Sequence, residues 1–176
     1  MKRYETFDHT ADLGIRVFGR TYEEVFANAA YALFDLLTDL NRVRESLSYD
    51  LRVEAADREE LLVRWLSELL FLSESGGYLF KKFSIFHLGQ TSLQAVAHGE
   101  IFDPSRHEFK KEIKAVTYHQ VSVKEKVELS RRRRIAGTAR FGERADALFR
   151  IEQRGRFLLA DRLPEQFAEV MNRRRE

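Results

Sequence analysis

From Leu13 to Phe18 the chain alternates apolar residues with small or polar ones at a period of two, the pattern of a half-buried strand, and Gly19 ends it. Tyr4-Glu5-Thr6-Phe7 predicts a short strand just ahead. The period then changes. Val25, Phe26, Ala29, Ala30, Leu33, Phe34 and Leu37 recur at spacings of three and four, which predicts a helix with one apolar face. Thr21-Tyr22-Glu23-Glu24 opens it as a capping box, and the helix is expected to stop near Thr38-Asp39. Leu47, Tyr49, Leu51 and Val53 return to period two and predict another strand. A second helix comes next, with Asp57 as N-cap and a stripe of Leu61, Leu62, Trp65, Leu66, Leu69 and Leu70. Ser75-Gly76-Gly77 ends it, with Gly supplying the left-handed residue. Phe83 to Leu88, Ser92 to Glu100 and Ile113 to Tyr118 predict three more strands, and Val121-Ser122-Val123 extends the pattern.

Two amphipathic helices among many short strands point to an α+β fold, with both helices packed on one face of a mostly antiparallel sheet. The length suits a single domain spanning 1–176. Residues 124–155 are less regular. Arg131-Arg132-Arg133-Arg134 interrupts the apolar pattern, and Gly137 and Gly142 break the next stretch. Glu143 to Arg150 reads as a short helix, and Arg150 to Ala160 as a hairpin turning near Arg154-Gly155. Beyond Pro164 a helical stretch through Phe167 and Val170 runs into Arg173-Arg174-Arg175.

Composition narrows the chemistry. Hydrophobic residues make up 44% of the chain and charged residues 33%, ordinary for a globular protein apart from the high charge. No uncharged apolar run approaches the roughly 20 residues of a membrane helix. The opening Met1-Lys2-Arg3-Tyr4-Glu5 lacks the apolar stretch of a signal peptide. A cytoplasmic protein without a membrane partner is therefore expected. There is no Cys, which excludes disulfides, thiolate catalysis and Cys-ligated metal centres. The net charge of +2 hides an asymmetry: residues 130–176 hold thirteen Lys/Arg against seven Asp/Glu, and the remainder holds seventeen against twenty-one. A basic end reads first as a solvated Arg-rich surface, with the Arg run as an insertion loop; the alternative is an RNA-binding accessory domain acting through Arg131–Arg134 and the C-terminal tail.

Familiar catalytic patterns are missing from the sequence. There is no Gly-x-Ser-x-Gly elbow, no phosphate-binding Gly-rich loop and no His-Glu-x-x-His. The segment that stands out is Asp8-His9-Thr10-Ala11-Asp12, between the first two predicted strands. Its hard oxygen ligands at a bend suit Mg²⁺ or Ca²⁺. By spacing alone the segment reads first as a polar turn in which Asp8 and Thr10 bond local backbone amides. A second cluster comprises Gly99-Glu100, His107 and the run Glu112-Ile113-Lys114-Ala115-Val116-Thr117-Tyr118-His119. At period two, Glu112, Lys114, Val116 and Tyr118 share one side of that strand, and Ile113, Ala115, Thr117 and His119 the other. A mid-strand Lys requires either solvent or a carboxylate or phosphate to pair with. Taken singly, His107 and His119 read as structural.

Phe7-Asp8-His9-Thr10-Ala11-Asp12-Leu13-Gly14-Ile15, then Gly19-x-Thr21-x-Glu23-Glu24-x-Phe26 and Ala29-Ala30-x-Ala32-Leu33-Phe34, closely resembles the opening of the archease family. The run Glu112 to His119 resembles that family's second motif, with Gly99-Glu100 and His107 ahead of it, and the likeness covers residues 3–123. The resemblance implies a small α+β protein that is not a stand-alone enzyme. It implies a chaperone-like activator of the RtcB-type RNA ligase in tRNA splicing, tRNA processing and RNA repair, touching RNA only indirectly. Such a protein promotes guanylylation of the ligase's catalytic histidine and so permits multiple turnover. The resemblance also implies a divalent cation, Ca²⁺, Mg²⁺ or Mn²⁺, held by acids. Carried over by position, Asp12 is the acid of the first motif and Lys114 the functional lysine. Asp8, His9 and His119 belong to the partner-facing set. The family's last acid lies on an apolar strand shortly after the second motif. The best match here is Phe157-Leu158-Leu159-Ala160-Asp161-Arg162, with Asp161 as ligand beside the Arg162 backbone and Asp146 as the alternative. That alignment requires an insertion within 124–150 and leaves a basic tail over 163–176.

Overall fold

Each period in the sequence becomes an element in a computed structural model, which describes residues 2–8, 12–128 and 142–153. In chain order these are β1 (Tyr4–Asp8), β2 (Asp12–Gly19), α1 (Tyr22–Leu37), β3 (Leu47–Glu54), α2 (Arg58–Gly76), β4 (Tyr78–Leu88), β5 (Ser92–Ile101), β6 (Ile113–Glu128) and β7 (Gly142–Gln153). The fold is α+β, with two helices and antiparallel strand pairing throughout. The strands divide into two sheets, β1-β2-β7-β6 and β3-β5-β4.

The helix starts obey the expected capping chemistry. Thr21 Oγ1 accepts from the Glu24 amide at 3.2 Å and Asp57 Oδ1 from the Glu60 amide at 2.7 Å, each satisfying a first-turn donor with no intrahelical partner. The Glu24 and Glu60 carboxylates reach back one residue further than in a standard capping box, to the amides of Arg20 and Ala56. Helix α2 ends on Gly77 at φ 68°, a left-handed cap that glycine adopts without strain.

The predicted apolar stripes of both helices are buried in full. Helix α1 packs on β2 of the first sheet and β4 of the second, while α2 packs on β6 of the first and on β3, β4 and β5 of the second. The helices therefore bridge the sheets, and the core is shared by both. Trp65 is fully buried at this junction, edge-on to Phe83 and donating its indole N–H to the Phe26 carbonyl at 3.2 Å.

Three local expectations give way. Glu143 to Arg150 is strand, within β7, and not helix. Ala145, Ala147, Phe149 and Ile151 alternate into the core, but Ala145, Leu148 and Phe149 also stand at helical spacing, so the period is ambiguous until a pairing partner chooses it. The clean two-sided alternation of 112–119 is broken as well: β6 slips register between Ile113 and Ala115, so Ile113 and Val116 are both buried and Lys114 occupies a bulge. Finally, β4 begins at Tyr78, ahead of the expected Phe83. The segment expected to hold an insertion contributes strand at both ends, 124–128 in β6 and 142–150 in β7.

Candidate functional site

Strand β7 is the central strand that joins β2 to β6 in the first sheet. Because its odd residues 145–151 are buried in the core, on the side where α1 packs, its even residues Asp146, Leu148, Arg150 and Glu152 face the opposite side. On that outer face Asp12, the first residue of β2, stands directly across from Glu152. Opposed residues on antiparallel strands share a face with Cβ atoms about 5 Å apart. On the other flank of β7, Lys114 Nζ donates to Glu152 Oε1 at 2.8 Å. The β6 bulge makes this contact: it takes Lys114 out of the strict alternation and turns it toward β7. Asp12, Glu152 and Lys114 thus meet at one end of the sheet. The Lys114–Glu152 pair is half-exposed, so its contribution to stability is small and both groups are accessible.

Of the residues singled out in the sequence, Asp12 and Lys114 come together through a third, Glu152, that sequence reasoning missed. The signal was the alternation Ala145, Ala147, Phe149, Ile151, which places Glu152 one step beyond on the outer face. Asp8 pairs with Leu13 and so shares the face of a core residue, opposite to that of Asp12. Asp146 pairs with Phe18 and Lys124, six residues along the sheet from Asp12 and Glu152, which at the strand rise is about 20 Å. It cannot share a ligand with Asp12. His119 is exposed on β6. His9, Asp161 and Arg162 lie outside the described residues, as do Thr10, Arg131–Arg134 and the 163–176 tail.

Glu100 and His107, expected ahead of the second motif, are buried and tied to each other. Glu100 Oε1 accepts from the Arg44 amide at 2.7 Å and lies 3.1 Å from His107 Nε2, while Oε2 accepts from Arg106 at 2.6 Å. His107 Nδ1 accepts from the Asp103 amide at 2.9 Å, so its proton resides on Nε2 and points at Glu100. This clasp, with Thr38 Oγ1 donating to the Glu108 carbonyl at 2.8 Å, fixes the segment that delivers β6 and Lys114 to the sheet.

In donor chemistry, Asp12 and Glu152 suit a hard divalent cation, which prefers carboxylate oxygens and completes its shell with water. Among the described residues no cluster of three acid or His side chains is placed to hold one. Two acids and a lysine, open to solvent, make a site that shares a ligand or presents one to a partner more readily than it encloses one.

Residues 4–135 match the Archease protein family (MTH1598/TM1083). The chain belongs to the archease family. Protein archease of Pyrococcus furiosus is 40% identical over 126 residues, covering 70% of this chain and 89% of that protein. Protein archease of Sulfurisphaera tokodaii is 39% identical over 127 residues, covering 72% and 91%. The solution structure of Methanobacterium thermoautotrophicum protein 1598 superposes with a TM-score of 0.65 at 31% identity, covering 86% of this chain and 99% of that one. Asp12 and Lys114 of this archease lie inside the family match, and Glu152 lies beyond its end. Among the described residues no helix is long and apolar enough to cross a membrane.

Proposed function

We propose that this archease is an accessory protein of an RtcB-type RNA ligase, promoting the ligase's guanylylation and multiple turnover in tRNA splicing or RNA repair. The observation that carries the reading is the meeting of Asp12, Glu152 and Lys114 on one accessible edge of the first sheet. Asp12 and Glu152 would hold a divalent cation between adjacent strands. Such an ion, when bound, supplies positive charge to phosphate oxygens, which is what nucleotidyl transfer demands. Lys114 orients the Glu152 carboxylate and keeps a second positive charge next to it. The bulge and the Glu100–His107 clasp position that lysine from behind. On this reading the reacting groups belong to the ligase, and the archease supplies a preorganised edge. Family membership supports the reading, and so does a site that is open rather than enclosed.

The test is a multiple-turnover ligation assay of the cognate ligase with wild-type archease and with Asp12→Ala, Lys114→Ala and Glu152→Gln. Wild type is expected to stimulate turnover, and each variant to lose roughly tenfold or more: Asp12→Ala and Glu152→Gln because a metal ligand is removed, Lys114→Ala because the positive charge beside the ligands is removed. Full stimulation by Glu152→Gln alongside loss in Asp161→Ala would transfer the third role to Asp161. Full stimulation by Asp12→Ala and Lys114→Ala would end the assignment.

A further inference from the structure

We infer that the outer face of the first sheet also carries an oxyanion site of the phosphate class, centred on Arg150 and completed by Thr117 and Gln120. Arg150 faces outward from β7, yet it is only 3% exposed. Among the described residues its side chain donates to the neutral side-chain oxygen of Gln120. Its Nε is buried with no partner, and among the described residues no carboxylate pairs with it. A guanidinium cannot shed its proton, so a buried one calls for a counter-charge that the described residues do not provide.

Two independent features converge on the same spot. Thr117 is directly opposed to Arg150 across the β6–β7 ladder, and so shares its face. The Thr117 hydroxyl is also buried and unpartnered. Gln120 has φ 56°, alone among the described non-glycine residues in the left-handed region. It lies where β6 takes five steps, Thr117 to Ser122, against two on β7, Arg150 to Leu148. That irregularity brings the Gln120 amide to Arg150, and left-handed non-glycine residues persist where the surroundings impose them, often at binding sites. On the β2 side, Arg150 faces Gly14, over which the Phe7 ring lies. That wall is apolar directly opposite Arg150; the acid on the same face, Asp12, stands two residues further along β2, and among the described residues it forms no ion pair with Arg150.

The unmet groups are a guanidinium N–H and a hydroxyl, with net positive charge. The fitting ligand accepts hydrogen bonds and carries negative charge. Donors from two adjacent strands suit a tetrahedral phosphate, which spreads its oxygens in three dimensions, over a planar carboxylate. Glu152 is two residues along the same face, so the bound anion would lie next to the Asp12–Glu152–Lys114 edge. Binding of this kind needs no ligase and is measured on the protein alone.

The thermal midpoint of the full chain is measured in inorganic phosphate, in acetate, and in chloride at matched ionic strength, for wild type, Thr117→Val, Arg150→Gln and Arg150→Lys. Phosphate at ten times its dissociation constant is expected to raise the wild-type midpoint by about 3–6 °C over chloride, with no such rise in acetate. Thr117→Val and Arg150→Lys should weaken the response, and Arg150→Gln should abolish it. Should Arg150→Gln fail to fold, Thr117→Val and Arg150→Lys carry the test. An equal rise in wild type and in the Arg150 variants overturns the site, since the effect is then a general salt effect. No rise in wild type overturns it too, because Arg150 then has its counter-charge within the chain. An acetate response equal to that of phosphate overturns the phosphate class.

Discussion

At Glu100, burial and charge act in opposite directions. Burial raises the carboxyl pKa, but the Arg106 hydrogen bond, the Arg44 amide and the charge of Arg106 outweigh it and hold Glu100 below its ordinary value of 4.5. A carboxylate depressed on folding adds stability that is fully present above its unfolded pKa and is lost as the pH falls through the folded one. Glu100→Gln is therefore expected to lower stability by about 2–4 kcal/mol at pH 7, with the gap to wild type closing below pH ~4. Urea unfolding at the two pH values checks it; a gap that persists in acid would mean that shape rather than charge holds the clasp. Lys114 presents the converse case at the surface. It occupies a carboxylate that a divalent cation would also need, so Lys114→Met should raise divalent-ion affinity, by up to about fivefold for an exposed pair, while lowering ligase stimulation. Titration calorimetry with Ca²⁺ and Mg²⁺ reads the first effect separately from the second. Of these residues, Asp12 and Lys114 were legible because their neighbours form recognisable runs. Glu152 and Arg150 were not, because their placement depends on which residues stand opposite them.

Elements were legible where one period dominated. Both helix stripes, both N-caps and the Gly77 cap emerge from spacing and side-chain chemistry alone, since each is satisfied within four residues. Strand β7 was not legible, because Leu148 adds a helical spacing to the strand alternation and only pairing with β2 and β6 decides between them. The bulge at Lys114 was hidden for the same reason: a register slip is a relation between two strands. Close backbone approach is another such relation. A Cβ on Gly99 would meet the Leu79 carbonyl group and come within 2.8 Å of Phe80 Cα, where β5 crosses the irregular start of β4. On Gly14 it would meet the ring of Phe7, a side chain that can turn away. Gly99→Ala is therefore expected to destabilise by about 3 kcal/mol or more and Gly14→Ala by about 1–3 kcal/mol. Adding Phe7→Ala should partly rescue Gly14→Ala, whereas no single side-chain truncation rescues Gly99→Ala. Denaturant midpoints across the set decide it.

For the molecule as a whole, the division into two sheets could not be read from alternation, which gives each strand a buried face but not its neighbours. The chain brings β2 beside β7 across more than 120 residues, while β3, β5 and β4 close a separate sheet. The helices turn these two sheets into one mechanical unit. Helix α1 is covered by β2 and β4, α2 lies against β6 and the three strands of the second sheet, and one cluster of buried side chains runs through all of them. Separating the sheets would expose both helices, so neither sheet has a core of its own to retain. We therefore expect a single cooperative unfolding transition. Trp65 is well placed to report it: it is fully buried, touches Phe83 of the second sheet's β4, and bonds to the backbone of α1, which packs on the first. Its fluorescence and the far-ultraviolet circular dichroism should change at the same urea concentration. Leu66→Ala, which empties a fully buried position on α2, should move both curves down together by an amount equivalent to about 2–5 kcal/mol. If the tryptophan signal were lost first while strand signal remained, the first sheet would be stable on its own, and the site it carries would not depend on the helices behind it.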